Sequence, residues 1–140
     1  MIMEQQPITF SLLNSLAELD RLSEMLEMIG DKWKLPAKIT LQINLALDEL
    51  FTNVVSYGLE DKTNQKINFT LVHQGDAISI VVSDNGRQFD PTQAVGPDLE
   101  LPLDEQQIGG LGIFLMRQYT DKIHYKREKG QNIVTLTKTI

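Results

Sequence analysis

The sequence contains no cysteine, which removes disulfides, thiolate metal sites and thiol catalysis from consideration together. It is short of positive charge: 13 Lys and Arg stand against 19 Asp and Glu, giving a formal net charge of −6 and a pI near 4.8. That balance repels a phosphate backbone, so direct nucleic-acid binding would need a local basic patch. The one cluster of that kind, Lys122, Lys126, Arg127 and Lys129, reads as the solvated face of a strand and its hairpin. No segment approaches the length of a membrane span. The opening Met1-Ile2-Met3-Glu4-Gln5-Gln6 also lacks the basic start and apolar run of a secretion signal, so a cytoplasmic protein without a membrane partner is expected. No Pro/Gly/Ser-rich stretch divides the chain, which predicts one domain over residues 1–140. Hydrophobic residues make up 41%, enough to bury a core and to exclude a disordered adaptor.

Along the chain, Ile8, Phe10 and Leu12 alternate as a short strand. Ser15-Leu16-Ala17-Glu18 reads as a capping box before a helix whose apolar positions are Leu16, Leu19, Leu22, Leu26 and Ile29, with Gly30 placed to end it in a left-handed conformation. Pro36 suits the first turn of a second helix. Its stripe of Ile39, Ile43, Ala46, Leu47, Leu50 and Val54 runs toward Tyr57-Gly58. Ile67, Phe69 and Leu71, a turn at His73-Gln74-Gly75-Asp76, and Ile78, Ile80 and Val82 form a predicted hairpin. From Arg87 to Ile108 the period disappears among Pro91, Gly96, Pro97 and Pro102, as in a functional lid. Gly109-Gly110-Leu111-Gly112 then opens a third helix ending near Tyr119. A last hairpin turns at Lys129-Gly130. This order predicts an α/β two-layer sandwich with a mixed, mostly antiparallel sheet and helices on one face.

Three clusters carry chemistry. Glu49 and Asn53, four residues apart on the second helix, project from one face. A carboxylate beside an amide oxygen can orient a nucleophile and hold one hard cation; the same spacing also describes a polar flank facing water. Asp84-Asn85-Gly86 ends a strand. The carboxylate there can accept from an exocyclic amine and the glycine admits a flat ring, although the tripeptide is equally good turn chemistry. Gly109-Gly110-Leu111-Gly112-Ile113 precedes a helix, where free N–H groups and the positive dipole end suit phosphates, or where glycines merely free a hinge. It is neither a dinucleotide fingerprint nor a Walker loop.

In this order, Glu-x-x-x-Asn on a helix, Asp-x-Gly after a strand, a loop, and Gly-x-Gly opening a helix resemble the N, G1 and G2 boxes of the Bergerat ATPases, the gyrase, histidine-kinase and MutL superfamily. The segments Leu45 to Val55, Asp84 to Pro91 and Gly109 to Arg117 are similar to the boxes of the anti-sigma-factor serine/threonine kinases, and the resemblance covers nearly the whole chain. It implies the Bergerat fold with ATP and Mg²⁺ as cofactors. Asn53 would coordinate Mg²⁺, Glu49 would be the catalytic base, directly or through water, and Asp84 would recognise the adenine amino group. Gly86 would make room for the ring. The backbone of Gly110, Leu111, Gly112 and Ile113 would hold the phosphates beneath the lid over 87–108. Two departures bear on phosphoryl transfer more than on binding: Gln88 replaces a second glycine, and Gln106-Gln107 stand where some relatives place a basic residue.

A chain this short has no room for the phosphorylated helical hairpin of histidine kinases or the transducer domain of gyrase-like proteins. His73 and His124 read as ordinary surface or edge residues. The resemblance therefore implies the free-standing type, which sequesters a sigma factor and phosphorylates a serine on a STAS-type anti-anti-sigma antagonist; relatives of this type are commonly homodimers. A non-enzymatic nucleotide-binding module that grips a protein partner, and a kinase serving another regulator, are the alternatives.

Overall fold

The computed structural model describes residues 6–58, 65–93 and 116–140. The elements follow in the order β1 (Ile8–Leu13), α1 (Leu19–Lys32), α2 (Ala37–Asn53), β2 (Lys66–Gln74), β3 (Ala77–Asp84), β4 (Lys122–Glu128) and β5 (Gln131–Thr139). Short 3-10 turns occupy Leu16–Glu18 and Pro91–Gln93, and residues 116–119 are helical. The sheet has five strands in the order β1-β2-β3-β5-β4, and every described pairing is antiparallel. The parallel component that a mixed sheet would carry is absent among the described residues. Each of β1-β2, β2-β3 and β5-β4 pairs antiparallel, and the last strand enters between β3 and β4.

The alternation read in the sequence becomes the core. Phe10, Phe69, Val82, Val134 and Tyr125 form one row across the sheet, and Leu71, Ile80, Leu136 and Ile123 the next. Facing them are Leu22, Leu26 and Ile29 of α1 and Ile43, Ala46, Leu47, Leu50 and Phe51 of α2, all buried. Phe69 is sandwiched, stacked on Phe10 with ring centroids 4.8 Å apart and tilted against Phe51 at 6.3 Å. Burying each such side chain contributes roughly 1.5–3 kcal/mol against the entropy of ordering the chain.

The helix starts differ in detail from the sequence reading. Ser15 Oγ accepts from Ala17 N at 3.2 Å, but Glu18 Oε2 accepts from Leu13 N at 3.0 Å, reaching past the cap into β1. Pro36 is the N-cap rather than a helical residue. Gly30 does not end α1. The helix continues to Lys32, and the left-handed residue is Lys34, at φ 54. Leu35 N donates to Gly30 O at 2.8 Å and Lys34 N to Asp31 O at 3.2 Å, which is the Schellman closure. Gly30 serves packing instead: a Cβ there would lie 2.5 Å from Thr40 Oγ1 and 3.1 Å from Thr40 Cγ2 of α2, so its bare backbone lets the helices touch. The β4–β5 turn does use Lys129 and Gly130, both at positive φ (51 and 76), as a two-residue hairpin requires.

Candidate functional site

The site lies where the apolar rows run out. Beyond Val82 and Val134, the next residues on the helix-covered face are Asp84 and Asn132, directly paired, with Arg127 paired to Asn132 on the far side. Asp84 and Asn132 are 4% and 2% exposed, so a polar row replaces an apolar one while still inside the fold. A buried polar group needs partners, and these supply one another. Asp84 Oδ1 accepts from Gly86 N at 2.8 Å and from Asn132 Nδ2 at 3.0 Å. Asn132 Nδ2 also donates to Arg87 O at 2.7 Å. Its Oδ1 accepts from Tyr125 Oη at 2.6 Å and from Phe89 N at 3.2 Å. Arg127 Nη1 closes the turn by donating to Gly86 O at 2.7 Å. Desolvation pushes the Tyr125 phenol above its usual range against the opposing pull of Arg127, and the charges of Asp90 and Asp84 add to the rise, so it stays a proton donor.

The second helix delivers its polar residues to the same end. Thr40 and Ile43, early in α2, line a small cavity with Leu71 and Ile78, whereas Phe51 lies tilted against Phe69, whose sheet partner is Val82. Thus α2 runs in the same sense as β3. Asn53 and Asp84, each just beyond the Phe51–Phe69–Val82 level, emerge at one end of the sheet. Asn53 is 2% exposed, and among the described residues its amide nitrogen has no hydrogen-bond partner. Leaving such a group unpaired costs about 1–3 kcal/mol, which an incoming acceptor would recover. Immediately after it the helix widens into a π-type turn over Val54–Gly58, a distortion frequent at functional sites. Glu49, one turn earlier, is half-buried, and desolvation raises its pKa above the ordinary 4.5.

The structure thus brings Glu49, Asn53, Asp84 and Gly86 to one end of the molecule. Gly110, Leu111, Gly112 and Ile113 lie outside the described residues, as does the loop over 94–108. The start of that loop corrects the expectation of a structureless lid beginning at Arg87. Phe89 and the Arg87 carbonyl are bonded to Asn132. Asp90 Oδ1 accepts from both Thr92 N (2.8 Å) and Thr92 Oγ1 (2.6 Å), and Arg117 Nη2 donates to Thr92 O at 2.7 Å. Gln88 is exposed and is not among the non-glycine residues at positive φ, which are Lys34 and Lys129 among the described residues. A glutamine therefore fits its backbone without strain.

Three members of the site escaped the sequence reading. Arg127 stood among the basic residues taken as a solvated face; Lys122, Lys126 and Arg127 are all exposed, and Lys126 pairs with Glu128 at 3.0 Å, but Arg127 also bonds the Gly86 carbonyl. Asn132 and Tyr125 carried a usable signal: counting back from the Lys129-Gly130 turn pairs Arg127 with Asn132. That Asn132 then faces Asp84 needs the strand order, which no local pattern encodes. Of the two histidines, His124 is exposed as expected. The His73 ring packs on Trp33 at 5.4 Å instead of standing free.

Among the described residues no helix is long and apolar enough to cross a membrane. Residues 12–138 match the family described as histidine kinase-like ATPase domain. The serine/threonine-protein kinase BtrW of Bordetella bronchiseptica is 36% identical over 109 residues, covering 78% of this chain and 75% of that one. The serine-protein kinase RsbW of Halalkalibacterium halodurans is 32% identical over 100 residues, 69% of this chain but 60% of its own length. Among solved structures, the RsbU and RsbW domains of Rv1364c from Mycobacterium tuberculosis superpose with a TM-score of 0.66 at 14% identity, covering 96% of this chain and 32% of that one, a likeness of fold.

Proposed function

The chain belongs to the histidine kinase-like ATPase domain family, and from that premise we propose that it is an ATP-dependent serine/threonine-protein kinase that sequesters a sigma factor and phosphorylates a serine of a STAS-type anti-anti-sigma antagonist in the cytoplasm. Relatives named as serine/threonine-protein kinases support the activity. The observation that carries it is the convergence of the buried Asn53 amide, whose nitrogen has no partner among the described residues, with the buried carboxylate of Asp84 at one end of the sheet.

The division of labour follows from the chemistry of each group. Both described bonds to Asp84 fall on Oδ1. Oδ2 has none among the described residues and is left to accept from the adenine amino group, while Gly86 beside it has no side chain to obstruct a ring. Asn53 offers one amide oxygen to Mg²⁺ and an unpaired N–H to a phosphate or water. Among the described residues no set of three His, Cys, Asp or Glu could hold a metal. A single protein oxygen, with phosphates and water completing the shell, suits a small cation that sheds water reluctantly. Mg²⁺ when bound neutralises charge on the phosphates. Glu49 takes the proton of the attacking serine hydroxyl, directly or through one water, and its raised pKa makes it a stronger base than an exposed glutamate. Gly110, Leu111, Gly112 and Ile113, outside the described residues, are assigned the phosphate chain from their sequence alone, since glycines that open a helix would offer free backbone N–H groups.

Two substitutions separate transfer from binding. Glu49→Gln is expected to leave ATP affinity within about twofold while slowing transfer to the antagonist by roughly two to four orders of magnitude. Asn53→Ala is expected to weaken Mg-ATP binding itself. Calorimetry and single-turnover transfer measured on both variants check this; a Glu49→Gln protein that transfers phosphate at the wild-type rate removes Glu49 from the reaction.

A further inference from the structure

Where the last turns of α1 meet the first turns of α2, the seam between the helices opens into a hollow of about 340 Å³. Small residues explain it: Gly30, Ala37 and Thr40 line the hollow and none of them fills it. Ala37 and Asn44, the outermost lining residues of α2, lie about 10 Å apart along the helix, so the space takes one or two side chains rather than a helix face. Thr40 is about 20 Å along α2 from Asn53. A group held here therefore leaves the Asn53 end uncovered.

The hollow presents acceptors and no cation. Glu27 and Asp31 of α1, one turn apart and both exposed, stand at its rim without an ion pair among the described residues. Asn44 forms part of the wall. Its Nδ2 donates to Ser23 Oγ at 2.8 Å, while its buried Oδ1 has no partner among the described residues, so a carbonyl dipole stands behind the carboxylates with nothing positive to offset it. No Lys, Arg or His lines the space. Leu41 completes the rim at 58% exposure, the highest of the large apolar side chains among the described residues. An acidic rim beside an apolar ledge matches a long aliphatic stem that ends in a cation, with the stem on the leucine and the head at the carboxylates. Arginine suits this better than lysine, because its planar fork can serve two carboxylates at once. A phosphate-bearing ligand would be repelled by the same rim.

We propose that the α1–α2 hollow docks an arginine-bearing segment of a protein partner, the guanidinium meeting Glu27 and Asp31 and an adjoining apolar residue resting on Leu41. The site is separate from the nucleotide end and does not depend on the chain's being a kinase.

The test is an amide NMR titration of the full chain with a capped leucine–arginine dipeptide. Saturable shifts are expected at Glu27, Gly30, Asp31, Leu41 and Asn44, with a dissociation constant on the order of millimolar, since exposed ion pairs are individually weak. The citrulline counterpart, which keeps the shape and loses the charge, should bind at least about threefold more weakly. Combining Glu27→Gln with Asp31→Asn, both outside the core, is expected to weaken the arginine dipeptide about three- to tenfold at an unchanged melting temperature. No saturable shift at these residues, an equal response to citrulline, or a double variant that binds as well as wild type overturns the proposal. Should the double variant lose stability, high salt takes its place: screening should weaken binding at least about threefold, and salt-independent binding is equally fatal. Shifts at the same amides on concentrating the chain alone would make the hollow a contact between two copies, which also overturns it.

Discussion

At adjacent positions of α2, Asp48 and Glu49 project to different flanks, because one residue turns a helix by about 100°. Asn53 shares the flank of Glu49. Asn44, one turn before Asp48, donates to Ser23 Oγ of α1 at 2.8 Å, which places Asp48 on the flank toward α1. There its Oδ1 is buried without a partner among the described residues, and desolvation, with the neighbouring Glu49 charge second, raises its pKa from 3.8 to about 6. The folded chain therefore holds this proton over a range where the unfolded chain has released it. The resulting stabilisation is complete below about pH 4 and is lost as the pH rises through about 6. Asp48→Asn, neutral at every pH, is expected to melt about 2–4 °C above wild type near pH 8 and close to it near pH 4.5, the modest size reflecting a half-exposed carboxyl. Melting curves at the two pH values check this; an offset independent of pH contradicts the assignment.

Among the elements, the α1–α2 contact shows how one residue type can serve two purposes that sequence does not separate. A glycine after an apolar stripe reads as a helix stop, yet Gly30 lies within α1 because Thr40 occupies the space a Cβ would need. Gly30→Ala is expected to destabilise by about 1–3 kcal/mol through this clash. In a Thr40→Ala background the sign should reverse, since alanine is favoured over glycine in a helix by about 1 kcal/mol. A double-mutant cycle by denaturant unfolding measures the coupling, and strict additivity would refute the packing account. The strands and helices were legible because each carries its own period: Ile67, Phe69 and Leu71 every second residue, Ile43, Ala46, Leu47 and Leu50 at helical spacing. Glu49, Asn53 and Asp84 were legible as candidates because each sits in a local motif. Asn132 and Arg127 were not, since their contacts with Asp84 to Arg87 join residues more than forty positions apart and depend on β5 inserting between β3 and β4, and Tyr125 joins them only through Asn132. Gly30 was misread because its constraint comes from a neighbouring helix.

For the whole molecule, the described residues form a five-stranded antiparallel sheet with α1 and α2 over one face, and the candidate site lies where the helix-covered face turns polar. On the proposed reading the nucleotide would lie at one end of the sandwich, between the end of α2 and the end of β3. A net charge of −6 disfavours approach to a phosphate backbone. The central claim is that this ATP site serves phosphoryl transfer to a protein serine and not merely nucleotide-gated gripping. The most direct measurement is the intact mass of STAS-domain proteins from the same organism after incubation with this chain and Mg-ATP. One added phosphate on an antagonist, located on a serine and strongly slowed by Glu49→Gln, is the expected result. Tight Mg-ATP binding with no phosphate on any of those proteins would contradict it and make the chain a non-enzymatic nucleotide-binding module.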